Sequence, residues 1–182
     1  FKHFQGADKA RIEYATFRDG RHSKCIVISP GRVEGYLKYK ELVFELFQQG
    51  FDIIIVDHRG QGISQRLTEN KHQGHVENFS DYVTDLRQLI EITTADYDDD
   101  NLFLLAHSMG GAISALYLQQ YPNTFKAAVL SSPMIAINSG VIPYSFAKTI
   151  AKAGLFINEL LSTKPWYFIG QGDYESTDFA KN

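Results

Sequence analysis

Ser108 lies in the run Ala106-His107-Ser108-Met109-Gly110-Gly111. A serine hydroxyl is a weak nucleophile, so an enzyme that uses one must expose Oγ, set a base beside it and supply donors for the oxyanion that forms. A sharp strand-to-helix turn meets the first and third needs. Small residues two before and two after the serine let strand and helix pack closely, and the free N–H groups of the new helix face the reaction centre. Here those positions hold Ala106 and Gly110. Alanine departs from the G-x-S-x-G pattern but is small enough for the same packing. The bland reading is a helix start with a capping serine. Context favours the turn: the apolar run Leu102 to Leu105 precedes it, and Gly110, Gly111, Ala112, Ser114 and Ala115 begin a helix rich in small residues.

Such a serine needs elements that carry it. Arg11 to Phe17 alternates in part, and Cys25 to Ser29 is a short apolar run stopped by Pro30-Gly31, so both read as strands. Tyr39, Leu42, Val43, Leu46 and Phe47 fall on one helical face, and Gly50 follows where a helix C-terminus favours glycine. Ile53-Ile54-Ile55-Val56 has the composition of a parallel strand covered on both faces. A second helix is expected from Phe79 to Ile92, with Asn78 placed to cap it. The strand Leu102 to Ala106, the helix ending near Tyr121-Pro122 and a strand from Phe125 to Leu130 follow, and Val141 to Phe156 reads as a further helix. Strands alternating with helices imply right-handed crossovers and an α/β class: a doubly wound, mostly parallel sheet with its sites at the carboxyl ends of the strands.

With 182 residues, the chain fits one domain able to bury about 70% of the surface its unfolded form exposes. Hydrophobic residues make up 44% and charged residues 21%, the balance of a globular protein rather than a disordered one. The net charge of -3 and the lack of a long basic run argue against a nucleic-acid partner. Cys25 has no second cysteine to pair with and reads as a buried structural thiol. No stretch approaches the ~18 consecutive apolar residues of a membrane-spanning helix.

Two other patterns suggest sites and lead elsewhere. His72 and His75 sit three apart, but a zinc site needs three or four converging ligands, so a loop packed under the helix at Phe79 is the better reading and no metal is expected. The glycines of Asp57-His58-Arg59-Gly60-Gln61-Gly62 lack the Gly-Lys-Ser/Thr ending of a phosphate loop and read as a tight turn; no cofactor is expected.

Taken together, Ser29-Pro30-Gly31-Arg32, Asp57 to Ser64, Gly74-His75-Val76 with Asp81-Tyr82-Val83, and Ala106 to Gly111 occur in the order found in monoacylglycerol-lipase-like α/β-hydrolases. Over about residues 10 to 135 the chain resembles that branch densely, and within it bacterial lysophospholipases. The resemblance implies an α/β-hydrolase fold with Ser108 as nucleophile and the backbone N–H groups of Arg32 and Met109 as oxyanion hole. Arg32 follows Pro30-Gly31 where relatives usually have His-Gly. The resemblance implies residues 1–132 as the N-terminal part of the core and 133–182 as a cap or lid segment. It also implies a lipid monoester as substrate, most readily a lysophospholipid, and a cytoplasmic location; contact with the inner membrane surface and oligomeric state stay open. Monoacylglycerol lipase, general carboxylesterase and aminopeptidase activities remain alternatives on the same fold. A different class, a non-catalytic binding protein of this fold, also remains.

From Pro133 to Phe168 the chain is rich in apolar residues, among them Met134, Ile135, Ile137, Val141, Ile142, Phe146, Leu155, Phe156, Leu160, Leu161, Trp166 and Phe168. They suit either a cap core or an acyl-facing wall. In this fold the triad runs Ser, then Asp or Glu, then His. The six histidines are His3, His22, His58, His72, His75 and His107, and none follows Ser108. His107, beside the nucleophile, points differently in such a turn. Asp173, after Pro165 to Ile169, mimics a carboxylate at a strand end, but the resemblance places it in the cap, where a solvated loop residue is the competing reading. The expectation is therefore a longer protein supplying the missing Asp and His, with this chain alone nearly inactive. The downstream reading frame checks this: it should encode both residues, and a frame with neither would favour the non-catalytic class.

Overall fold

A computed structural model of the chain describes residues 1–136, 143–162, 164–167 and 172–173. Ile137, Val141, Ile142, Phe168 and Ile169, singled out above, lie outside the described residues. The elements in chain order are β1 (Lys2–Gln5), β2 (Arg11–Phe17), β3 (Lys24–Ser29), α1 (Lys40–Gln48), β4 (Phe51–Asp57), α2 (Ser80–Thr93), β5 (Leu102–His107), α3 (Met109–Gln120), β6 (Ala127–Ser131) and α4 (Tyr144–Leu161).

One six-stranded sheet runs in the order β1-β2-β4-β3-β5-β6. The strands β4, β3, β5 and β6 are parallel, and β2 and β1 add to the β4 edge in antiparallel fashion. The fold is thus α/β with a mostly parallel sheet, as expected. The antiparallel edge was not anticipated, because β1 is four residues long and mainly exposed, with little hydrophobic pattern to reveal it. The last strand lies a residue or two later than its apolar run suggested, spanning Ala127–Ser131.

From β3 the chain steps to β4 on one side, then returns past β3 to β5 and β6 on the other. Right-handed crossovers then require α1 on one face and α2 and α3 on the opposite face. The core divides accordingly. Successive strand residues point to opposite faces, so Cys25, Val27, Ile54 and Val56 pack with Leu86 and Leu89 of α2 and Ile113 of α3, whereas Ile26, Ile28, Ile53 and Ile55 pack with Val43 of α1. Ile53 to Val56 are each 0% exposed, consistent with a strand covered on both faces. Cys25 is buried, as its apolar neighbours implied. Gly50, at φ 90°, ends α1.

Asn78 does not cap α2. Phe79 occupies the N-cap position in helical geometry, and no side chain caps it. The backbone carbonyl of Asn78 instead accepts from Asp81 N–H at 3.0 Å, and the Asp81 carboxylate accepts from Asn78 N–H at 3.4 Å. The helix begins one residue later than expected, so the backbone of Asn78 rather than its amide closes the first turn.

One buried ion pair holds the antiparallel edge to the helical layer. Arg59 and Asp85 have side chains 1% exposed, and Arg59 Nε and Nη2 donate to the two Asp85 oxygens at 2.7 Å each. Asp85 also accepts from Ala7 N–H at 2.8 Å, and Arg59 donates to the Ala7 carbonyl at 3.0 Å. A buried pair of this kind costs most when one partner is lost, since the other charge is stranded. Asp85→Ala in the intact protein should lower stability by about 3–5 kcal/mol, read as a fall in the urea midpoint, whereas replacing both Arg59 and Asp85 with apolar residues should cost less.

Candidate active site

The order β4-β3-β5 places a topological switch point between β3 and β5, because the chain leaves β3 in one direction and reaches β5 from the other. Sheets of this type open a crevice at the carboxyl ends of such strands. Ser108 stands there. It follows His107, the last residue of β5, and is the N-cap of α3 with φ 50° and ψ −116°. A non-glycine residue in that conformation costs on the order of 1–3 kcal/mol and persists only where its surroundings enforce it.

The enforcing contacts are specific. Ser108 N–H donates to the Ser131 carbonyl at 3.0 Å, and the Ser108 carbonyl accepts from Ala112 N–H at 3.2 Å and Met134 N–H at 2.9 Å. Gly110 presses on the end of β3 so closely that a Cβ there would overlap the carbonyl oxygens of Ser29 and Pro30. Ala106, 1% exposed, pairs with Ser29 in register. The small residues flanking Ser108 are thus explained by backbone-to-backbone approach.

Met109 opens α3, so its N–H, like those of the next two residues, has no acceptor within the helix. The facing loop, residues 30–36, is pinned by side chains. Glu34 Oε2 accepts from Gly31 N–H at 2.6 Å, Gln61 Oε1 from Val33 N–H at 2.5 Å, and Asp57 Oδ1 from Tyr36 N–H at 2.7 Å. The amides on both sides of Arg32 are therefore tied, and Val33 is held at φ 58°. With Pro30 against Gly110, Arg32 lies within about 7 Å of the Pro30 Cα by chain length alone.

Glu34 is the hub of this loop, and the sequence reading passed over it. Besides Gly31 it accepts from Tyr39 Oη at 2.6 Å and from Lys38 Nζ, and it lies 3.3 Å from His107 Nδ1. Burial opposes its ionisation, but the bonds from Lys38, Tyr39, Gly31 and His107 outweigh burial and hold its carboxyl down at about 2. His107 thus points toward Glu34, away from a base's position, as expected. Behind the loop, His58 Nε2 lies 3.0 Å from Ser29 Oγ, which also reaches the Gly110 carbonyl at 3.3 Å. Complete burial pushes His58 down to about 4, so it is neutral and structural at pH 7. The only sequence clue to Glu34, His58 and Gln61 was their place in loops leaving parallel strands.

The Asp57 to Gly62 segment is a turn, as read: Asp57 Oδ2 accepts from Ile63 N–H at 2.9 Å. Asp173 is exposed, and its carboxylate accepts from Asn70 Nδ2 at 2.6 Å and from the Tyr167 hydroxyl. Its described contacts belong to a seam between the 66–77 loop and the segment after α4. His72 and His75 line the same seam. One group among the described residues has metal-ligand geometry, Asp19, His22 and Asp52. It sits at the amino ends of the strands, away from Ser108, and its groups engage each other, Arg21 and Tyr97. No helix among the described residues is long and apolar enough to cross a membrane.

The family described as "Serine aminopeptidase, S33" matches residues 20–167. Lysophospholipase L2 of Escherichia coli is 46% identical over 179 residues, which is 98% of this chain and 52% of that protein. Monoacylglycerol lipase of Mycolicibacterium smegmatis is 30% identical over 82% of this chain and 52% of its own length. The chain spans about half the length of these curated relatives. Among solved structures, a thermostable carboxyl esterase from Bacillus coagulans superposes with a TM-score of 0.68 at 20% identity, over 87% of this chain and 50% of that one, a likeness of fold.

Glu34 supplies a pH test of the pinned loop. Its carboxyl is lower in the folded protein than the ordinary 4.5, so its stabilising charge is complete above about pH 4.5 and is lost as pH falls toward 2. Glu34→Gln should lower the melting temperature of the intact protein at pH 7, and the gap to wild type should close between pH 4.5 and 2. A gap constant with pH would mean that the charge does not hold the loop.

Proposed function

From the premise that this chain belongs to the serine aminopeptidase S33 family of α/β-hydrolases, we propose that it is the nucleophile-bearing half of a serine ester hydrolase acting on a lipid monoester, a lysophospholipid first of all. The observation that carries the reading is the strained Ser108 turn at the switch point, held open by Gly110 against Ser29 and Pro30. Strain stored at one serine, at the mouth of a parallel sheet, is what an exposed nucleophile requires.

In this reading Ser108 Oγ attacks the ester carbonyl carbon, and the Met109 and Arg32 N–H groups receive the oxyanion. A donor of this kind is typically worth about 3–4 kcal/mol of barrier. Collapse of the tetrahedral intermediate expels the glycerophospho-alcohol, which takes up a proton, and leaves an acyl-serine. Water then attacks the acyl-serine, freeing the fatty acid and restoring the hydroxyl. No histidine follows Ser108 in this chain, so the base and its acid are assigned to the part of the relatives' length that the chain does not span. Asp173, engaged with Asn70 and Tyr167, is assigned to the seam rather than to the triad.

Residues 1–132 are taken as core and 133–182 as cap. The last described strand of the sheet ends at Ser131, just before that boundary, and Met134 N–H bonds the Ser108 carbonyl across it. Phe146, Leu155, Phe156, Leu160 and Leu161 are exposed on α4 and suit an acyl-facing wall. The lysophospholipid is preferred over a monoacylglycerol because the relative of higher identity bears that name. A fluorophosphonate probe should label the full-length protein at Ser108, and Ser108→Ala should abolish both labelling and fatty-acid release from lysophosphatidylethanolamine. A folded wild-type protein that resists the probe would defeat the proposal.

A further inference from the structure

Beside the oxyanion loop lies a small cavity of about 110 Å³ lined by Arg32, His72 and His75 from the core side and by Trp166 and Tyr167 from the segment after α4. A larger one of about 670 Å³ shares Gln73, His75 and Pro165 with it and is also lined by Glu69, Glu77 and Lys164. The two sides are stitched together. Gln73 Nε2 donates to the Pro165 carbonyl at 3.0 Å, Asn70 Nδ2 to the Tyr167 hydroxyl at 3.3 Å, and Lys164 pairs with Glu69 at 2.5 Å. Arg32, a residue of the loop facing Ser108, lines the small cavity together with two imidazoles, and the larger cavity adds Glu77, whose Oε2 is 3.4 Å from His75 Nε2.

A lysophospholipid runs from its ester through glycerol to a phosphate and, in the zwitterionic classes, on to an ammonium. Its anion and its cation complement Arg32 in one cavity and Glu77 in the cavity beside it. A guanidinium is suited to phosphate because its fork of donors matches two phosphate oxygens. A monoacylglycerol has no charge to place in either cavity. We propose that the Arg32–His72–His75 cavity is a phosphate subsite for the substrate headgroup, and that Glu77 in the adjoining cavity meets the headgroup ammonium. The proposal rests on Ser108 being the esterase nucleophile and adds how that site selects its lipid.

The experiment compares three esters of one acyl chain on the full-length protein: lysophosphatidylethanolamine, lysophosphatidylglycerol and monoacylglycerol. Arg32→Gln should lower kcat/KM for both phospholipids relative to monoacylglycerol by about tenfold, the loss expected for one charge-assisted pair. Glu77→Gln, removing an exposed charge, should lower the ethanolamine lipid relative to the glycerol lipid by about threefold. Equal losses on all three substrates in Arg32→Gln, or no loss, would overturn the subsite while leaving the esterase intact. So would a wild-type protein labelled at Ser108 that cleaves monoacylglycerol alone. A site for free phosphate would show instead as inhibition of monoacylglycerol cleavage by inorganic phosphate without any preference for phospholipid, which also counts against the headgroup role. A wild-type protein that cleaves none of the three removes the esterase reading, and the subsite with it.

Discussion

The arrangement depends on how closely one helix can approach one strand. Gly110 lets the first turn of α3 rest directly on the carbonyls that end β3, and any side chain there would overlap them. That approach brings the loop after Pro30 to the start of α3, and it holds Ser108 in a backbone conformation that the chain would not adopt unaided. The energy for this strain comes from elsewhere: inner strands such as β4 buried on both faces, and three hydrogen bonds to the backbone of Ser108. The Ser108 turn, the open N–H groups of α3 and the loop facing them are therefore consequences of one contact between main chains.

Around that contact the molecule uses charged and polar side chains as fixed pins. Glu34, Gln61 and Asp57 each take one amide of the loop facing Ser108: Glu34 from within the loop, Asp57 and Gln61 from the end of β4 and the turn after it, which meet the loop only in the fold. Glu34 keeps its charge because four donors surround it; His58 stays neutral because burial gives its charge nowhere to go. A loop fixed this way needs little reorganisation when charge develops beside it, which is what makes preorganised donors effective.

Much of this was legible in the residue pattern. The run from Ile53 to Val56 announced a doubly covered strand, the spacing from Tyr39 to Phe47 a helix, and the small residues around Ser108 the turn, because each is a local rule with a strong signature. Where pattern reading failed, the cause was non-local. Strand β1 forms because β2 offers it an edge, and Asn78 loses the cap to a backbone geometry that its side chain does not control. The roles of His58 and Gln61 arise from burial and from partners 29 and 28 residues away, and Glu34 adds His107, 73 residues on, to its nearby donors. The pairing of Arg59 with Asp85, 26 residues apart, is of the same kind.

The strand β4 has a consequence for how the chain is made. Ile53-Ile54-Ile55-Val56 is the sort of uncharged, β-branched segment that stacks with copies of itself when left bare. Both of its neighbours in the sheet, β2 and β3, precede it in sequence. As the chain leaves the ribosome, the strand most prone to self-association therefore emerges after both edges that will cover it, while β3 must wait for β5. The order of synthesis itself acts as a safeguard against aggregation, and a circular permutant that delivered β4 first would lose it.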